Sequence, residues 1–148
     1  MAVRWSPTEE ENRRLLRARD TIDRDYSSPL DIPALAQVAV LSPAHFIRRF
    51  RDVFGETPHR YLQRRRIERA CALLRDGDSS VTDIAFAVGY GSLGTFSRTF
   101  ATIIGRSPSE YRRSVPAARV PTCFIKDHAR PSSFGEATST TPPVRSKP

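Results

Sequence analysis

The sequence predicts an all-α fold, and three features support this prediction. Apolar residues recur at helical spacing throughout residues 8–115, and no alternating run of β-branched residues is long enough to favour a strand. Residues that cap helices also recur at regular intervals along this range. We therefore expect seven helices, which span residues 8–25, 32–39, 43–54, 58–75, 81–88, 93–104 and 108–114.

Capping residues define where the predicted helices begin and end. An N-cap side-chain oxygen accepts a hydrogen bond from an otherwise unpaired backbone amide, and proline fits the first helical position because its missing N–H has no helical partner there. Ser80 with Asp83 and Ser107 with Glu110 have the spacing of a capping box. The predicted N-caps are Asp31, Ser42, Thr57, Ser80 and Ser107, the first-position prolines are Pro43, Pro58 and Pro108, and the predicted stops are Gly55, Gly77, Gly89 and Gly105.

The end of the chain has a different composition from the helical range. Residues 116–148 hold six of the twelve prolines, and a Ser/Thr-rich run at 137–143 carries no helical or strand period. We predict a disordered tail over residues 116–148 and a short N-terminal extension over residues 1–7. A single domain is expected between them.

The overall composition excludes several classes of protein. A chain of 148 residues with 39% hydrophobic content has room for one compact domain, or for two very small ones that share an element, but little for a deep substrate cleft. Cys71 and Cys123 lie far apart, which favours a reducing compartment over a disulfide framework. No window is apolar enough to cross a membrane, and the N-terminus lacks the apolar centre of a signal peptide. We expect a cytoplasmic protein without a membrane partner.

Positive charge points to a polyanionic partner. The formal net charge is +8, and residues 43–75 concentrate it with nine arginines against three carboxylates. Arginine forms planar bidentate bonds to phosphate and to guanine. Charge alone leaves DNA, RNA and an anionic membrane open as partners.

An internal repeat shows that two similar helical units stand in one chain. Over residues 46–61 the first unit matches the second at a constant shift of fifty residues. Upstream of this stretch the shift is one residue smaller, since Leu35-Ala36 corresponds to Ile84-Ala85. The second unit therefore has one extra residue near Tyr90-Gly91. A turn is where a repeat tolerates an insertion. A shift of fifty residues aligns Phe46 with Phe96, Arg48 with Arg98, Phe50 with Phe100, Gly55 with Gly105, Pro58 with Pro108 and Tyr61 with Tyr111.

Each unit has the pattern of a helix-turn-helix. A short helix with a small residue, Ala36 or Ala85, is followed by a short turn and a second helix, and the small residue lets the two helices cross closely. The second helix carries a pair of phenylalanines four residues apart on one face, which we assign to the core. These pairs are Phe46 with Phe50 and Phe96 with Phe100.

The opposite face of each second helix determines what the unit contacts. Arg48 and Arg98 occupy equivalent positions, and an arginine in the major groove can make two bonds to guanine. The alternative, that either arginine only neutralises a phosphate or a neighbouring carboxylate, stays open. This face comprises Ala44, His45, Ile47, Arg48 and Arg51 in the first unit and Leu93, Thr95, Ser97, Arg98 and Thr102 in the second.

The helix predicted over 58–75 separates the two units and should hold them at a fixed distance. Arg64 and Arg66 lie outside its apolar stripe, where they could contact DNA phosphates or form only a solvated face. We predict phosphate contacts from these two residues and from Arg51 and Thr102. The stripe itself consists of Leu62, Ile67, Cys71 and Leu74.

Together these residues resemble the DNA-binding domain of the AraC/XylS transcription regulators. The resemblance covers roughly residues 8–115, and its second half, from Asp83 to Tyr111, is highly specific. The pattern comprises Leu35-Ala36, Ser42, Phe46, Arg48, Phe50, Gly55, Pro58, Tyr61, residues 65–74, Ile84-Ala85, Gly89-Tyr90, Phe96, Arg98, Phe100, Pro108 and Tyr111.

The resemblance implies two helix-turn-helix subdomains joined by a rigid helix, reading successive major-groove segments on one DNA face. The chain resembles the single-domain members, which act as monomers on double-stranded DNA, and RNA polymerase is a further partner to consider. The resemblance implies that the base-facing positions are Ala44, Ile47 and Arg48 in the first unit and Leu93, Gly94, Thr95, Ser97 and Arg98 in the second. His45 is also predicted to face the bases, because it lies on the same outward side of its helix.

Two positions depart from the family pattern. Ala39-Val40-Leu41 stands in the first turn where the family usually has a glycine. Gly94 puts no side chain where longer polar residues are common, so the second unit is expected to make fewer base contacts.

Two functions other than DNA reading make different demands on the sequence. Some related proteins accept alkyl groups from damaged DNA on a reactive cysteine, but neither Cys71 on an apolar stripe nor Cys123 in the tail has the neighbours needed for metal activation. We expect no catalytic residue, metal or cofactor. The second alternative is a protein-interaction module on the same fold that has lost specific DNA binding, although Arg48 and Arg98 are retained.

Overall fold

The computed structural model describes residues 2–114, and this part of the chain forms seven α-helices and no strand. The ends of all seven helices lie within one residue of the prediction, so the all-α fold is confirmed. The predicted tail over 116–148 lies outside the described residues. In chain order the helices are α1 (Pro7–Arg24), α2 (Ile32–Ala39), α3 (Pro43–Phe54), α4 (Pro58–Asp76), α5 (Val81–Ala87), α6 (Leu93–Ile104) and α7 (Pro108–Ser114).

Hydrogen bonds at the helix starts follow the predicted capping chemistry. Ser107 and Glu110 form a full capping box, in which each side chain accepts from the other's backbone amide. Ser6 and Glu9 form another at the start of α1, which the sequence analysis missed. At α5 half of the predicted box is present: Ser80 Oγ accepts from the Asp83 amide at 3.1 Å. The shorter aspartate side chain accounts for the missing half, since the reciprocal bond is typical of Glu or Gln.

Two separate hydrophobic cores lie on the two halves of α4. The first core packs α1, α2 and α3 against the start of α4 through Tyr61 and Leu62. The second packs α5, α6 and α7 against the remainder of α4 through Ile67, Ala70 and Leu74. Helix α4 therefore closes one helix-turn-helix unit and opens the next, which confirms its predicted role as the connecting helix.

The repeat extends further upstream than the sequence comparison reached. The buried residues of α1 are Leu15, Ala18 and Ile22. In the second half of α4 the buried Ile67, Ala70 and Leu74 repeat this spacing, with Cys71 buried beside them. Each unit therefore begins with a helix whose buried residues have the same spacing. This correspondence was hidden because α4 also serves the first unit.

Aromatic packing is nearly identical in the two cores. The Phe46 and Phe50 ring centroids are 5.7 Å apart, and Phe96 and Phe100 repeat that distance. Each pair continues to a tyrosine of the following helix, Tyr61 at 5.7 Å in the first unit and Tyr111 at 5.6 Å in the second. All four phenylalanines are fully buried, which confirms their assignment to the core and directs the opposite faces of α3 and α6 outward.

Candidate nucleic-acid interface

Helix α3 presents the first candidate reading face. Ser42 caps it by accepting from the His45 amide at 3.3 Å, and the buried Phe46 and Phe50 fix its rotation. Ile47 is 36% exposed, a large apolar side chain in solvent at the centre of the face. The exposed members of the face are Ala44, Ile47, Arg48 and Arg51, and His45 is half-buried beside them.

Helix α6 presents the equivalent face in the second unit. Leu93 is 41% exposed at its first turn, and a Cβ added to Gly94 would meet nothing within 4 Å. Packing therefore does not require glycine at position 94, and the bare backbone leaves room for close approach of a partner. The exposed members are Leu93, Gly94, Thr95, Arg98 and Thr102, with Ser97 half-buried.

Two threonine hydroxyls of this face already have partners. Thr95 Oγ1 accepts from the Ser92 hydroxyl at 2.9 Å, which leaves its methyl group as the more available surface. Thr102 Oγ1 donates to the Arg98 carbonyl at 2.9 Å. A donated hydroxyl proton cannot also bind a phosphate oxygen, so Thr102 needs another rotamer for the phosphate contact predicted from sequence.

The equivalent arginines of the two faces, Arg48 and Arg98, are both exposed. Among the described ion pairs neither contacts a carboxylate. Their neighbour Arg49, in contrast, bonds to Glu11 and lies 3.6 Å from Asp52. The guanidinium groups of Arg48 and Arg98 are therefore available to an outside partner. Arg49 instead connects α3 to α1.

Arg64 lies on α4 in a polar network inside the first unit. Its guanidinium donates to Glu56 at 2.6 Å and to Glu68 at 2.6 Å, and its side chain is only 16% exposed. These carboxylates raise the pKa of Arg64 against the opposing effect of burial. The phosphate contact of Arg64 stays a prediction, and all three of its guanidinium nitrogens donate to carboxylates within the protein.

Arg66 lies two residues further along α4 and faces backbone carbonyls. Its guanidinium donates to Tyr26 O at 2.6 Å and to Ser28 O at 2.8 Å, both in the loop between α1 and α2. Its Cζ also stands 5.6 Å from the centre of the Tyr90 ring. Burial lowers its pKa. Sequence spacing gave no signal of this arrangement, because the partners come from tertiary packing.

The turns of the two units each contain a residue of positive φ, with a different residue type in each unit. Val40 ends α2 with φ 58°, and Gly89 follows α5 with φ 101°. The left-handed region is unfavourable for a β-branched side chain and costs glycine almost nothing. The missing turn glycine noted in the sequence is therefore a local strain at Val40, which is 68% exposed.

Cys71 is buried in the second core beside Tyr111. Burial raises the pKa of its thiol to about 11, which disfavours the reactive thiolate. Cys123 lies outside the described residues. Over residues 2–114 no group of three His, Cys, Asp or Glu side chains is placed to hold a metal ion.

None of the described helices is both long and apolar enough to span a bilayer. The tandem helix-turn-helix fold, with two exposed faces at equivalent positions, defines the class of two-unit helix-turn-helix DNA-binding domains. A helix-turn-helix domain family matches residues 35–114.

Curated relatives and solved structures show which helix-turn-helix family the chain belongs to. The chain is 41% identical over 86 residues to the MmsAB operon regulatory protein of Pseudomonas aeruginosa, covering 58% of this chain and 28% of that protein. It is 37% identical over 91 residues to the regulatory protein SoxS of Escherichia coli, covering 62% and 85%. The chain spans about a third of the length of the first three curated relatives it matches.

Two solved structures share the fold. The DNA-binding domain of AdpA, a global transcriptional factor crystallised with a target DNA, has a TM-score of 0.64 and 30% identity over 68% of this chain and 90% of that one. The C-terminal domain of AraT, a response regulator from Geobacillus stearothermophilus, has a TM-score of 0.66 and 28% identity over 86% and 98%. The chain belongs to the AraC/XylS family of transcription regulators and carries its DNA-binding domain.

Proposed function

We propose that the chain binds double-stranded DNA sequence-specifically and regulates transcription, with α3 and α6 reading two successive major-groove segments. One observation carries the proposal: the two helices bury equivalent phenylalanine pairs and expose equivalent faces that contain Arg48 and Arg98. A major groove admits one α-helix, so two such helices in one chain suit two groove segments.

The chemistry of the faces suggests distinct roles for their residues. Arg48 and Arg98 would bind guanine O6 and N7, and apolar groups would contact thymine methyls. His45 and Ser97 would bond to base edges, and Gly94 would allow close approach to the DNA. The apolar contacts would come from Ala44, Ile47, Leu93 and the methyl of Thr95, and the phosphate contacts from Arg51 and Thr102.

The phosphate contacts of Arg64 and Arg66 stay a prediction from sequence, and the contacts of both side chains within the protein favour a different role. Both guanidinium groups are occupied by protein acceptors, and releasing either one would leave polar groups of α4 or its neighbours unpaired. These internal partners support a structural role for both arginines, which we propose as the alternative to the phosphate contacts predicted from sequence.

We further propose that one chain acts as a monomer on an asymmetric site in the cytoplasm, with RNA polymerase as a functional partner and without catalysis. The repeat supports the monomer, because two unequal units in one chain replace the two equal subunits of a dimeric repressor. The buried, weakly acidic thiol of Cys71 argues against alkyl transfer at that residue.

Selection from a random duplex pool tests the function directly. We expect enrichment of one asymmetric sequence with two conserved segments, and mobility shifts that are far stronger on it than on a shuffled duplex. Arg48→Ala and Arg98→Ala should each relax one segment of the selected sequence. Failure to enrich any sequence would favour the protein-interaction module instead.

A further inference from the structure

Arg66 stands at a junction where the two units meet beside α4. Its Nε and Nη2 donate to Tyr26 O and Ser28 O of the first unit at 2.6 and 2.8 Å. The same guanidinium lies over the ring of Tyr90, in the turn of the second unit, at 5.6 Å. One side chain therefore holds backbone of the first unit and an aromatic face of the second.

The second unit's turn also approaches the first unit's loop directly. A Cβ on Gly89 would lie 2.7 Å from Ser27 O and 3.0 Å from Arg66 Cζ. Such distances leave no space for a side chain, so this loop and this turn are in van der Waals contact. Tyr26 adds an apolar contact, since its ring packs against both hydrophobic cores.

The charge of Arg66 is stabilised differently from that of its neighbours on α4. Arg64 and Arg65 both pair with carboxylates, whereas within the described residues Arg66 is held by two carbonyls and a ring. The planar guanidinium of arginine can donate two hydrogen bonds in its plane and stack on an aromatic ring with its flat side. A lysine ammonium can do neither in this fixed geometry, so arginine suits this site better.

We propose that Arg66 is a positioning residue that fixes the orientation of α6 relative to α3 and thereby sets the spacing of DNA segments the chain accepts. This inference rests on the proposed function. The loop before α2 and the turn after α5 meet at Arg66, so this junction adds a second connection between the units beside the continuous helix α4. Moving one DNA segment by one base pair rotates its groove by about a tenth of a helical turn. A small change in the orientation of α6 therefore changes which spacing the chain fits.

Spacing profiles measured on the full chain test the proposal. Affinities are compared on the selected site, on sites with one or two base pairs inserted or removed between the segments, and on sites with either segment scrambled. We expect Arg66→Ala to lose about tenfold on the selected spacing, to bind each single segment within about twofold of wild type, and to discriminate less among spacings.

Arg64→Ala is the matched control, because it removes another partly buried arginine from the same helix without touching the junction. It should retain the wild-type spacing preference. Arg66→Lys keeps the charge but loses the fork, so it should show the relaxed profile of Arg66→Ala. An unchanged profile in Arg66→Ala, or full rescue by lysine, contradicts the positioning role.

A measurement without DNA separates this inference from the proposed function. Spin labels at exposed Gln37 and Ser109, introduced as cysteines in a Cys123→Ser background, report the distance between the units. We expect Arg66→Ala to broaden the distance distribution and Arg64→Ala to leave it unchanged. Equal widths in all three proteins overturn the junction's role, whereas broadening in a protein that selects no DNA sequence would refute only the proposed function.

Discussion

Val40 and Gly89 stand at the same point of the two helix-turn-helix turns, and both have positive φ, 58° and 101°. In the second unit the junction with Ser27 and Arg66 demands glycine. In the first unit Val40 is 68% exposed and carries the strain that its β-branched side chain incurs there.

Val40→Gly should therefore stabilise the protein. Relief of left-handed strain is worth about 1–2 kcal/mol, and the greater freedom of glycine in the unfolded chain offsets part of it, so we expect a net gain of about 1 kcal/mol. Thermal unfolding followed by circular dichroism should show a rise of about 4 °C. Val38→Gly, the same change inside α2, is the control and should destabilise; a lower melting temperature for Val40→Gly would contradict the strain assignment.

Arg98→Ala should reduce specificity more than general affinity. Loss of a bidentate guanine contact costs about 1–3 kcal/mol on the selected site and little on random duplex. Binding titrations on both duplexes measure the difference, with Arg48→Ala as the equivalent change in the first unit. Equal losses on the two duplexes would assign Arg98 to a phosphate.

Arg51→Ala should weaken binding to every duplex alike. Its exposed side chain lies on the outward face of α3, and removal of one phosphate contact should lower the slope of log affinity against log salt by about 0.9. Arg64→Ala should leave that slope unchanged and lower the free energy of unfolding by about 2 kcal/mol, because Glu56 loses its partner and Glu68 keeps Arg65 alone of its two. A changed salt slope in Arg64→Ala would return that residue to the phosphate set.

The Cys71 thiol should react slowly while the protein is folded. Only the thiolate is nucleophilic, and a pKa of about 11 keeps the group protonated near neutral pH. In a Cys123→Ser variant, the rate of labelling by a disulfide reagent should increase with pH and jump on addition of urea. Rapid labelling of the folded variant at neutral pH would show that the thiol is accessible.

Features that depend on the local spacing of residues, such as helix ends and helix faces, could be predicted from the sequence. Helix ends follow caps and prolines within one residue, and the outward faces of α3 and α6 follow from phenylalanines four residues apart. The partners of Arg64 and Arg66 were beyond such reasoning, since Glu56 is 8 residues away and Tyr26 is 40. An arginine on a polar helix face is compatible with DNA, solvent or a distant carbonyl, and only packing decides among them.

The spacing between the two segments tests the tandem-reader account most directly. Because the repeat places one reading helix in each unit, the segments should lie about 10 base pairs apart on one face of the DNA. Five inserted base pairs should turn the second groove away and reduce affinity to that of one segment alone. Footprinting at known stoichiometry should show one chain on an asymmetric site, whereas a palindromic footprint with two chains, or affinity indifferent to the insertion, would contradict the account.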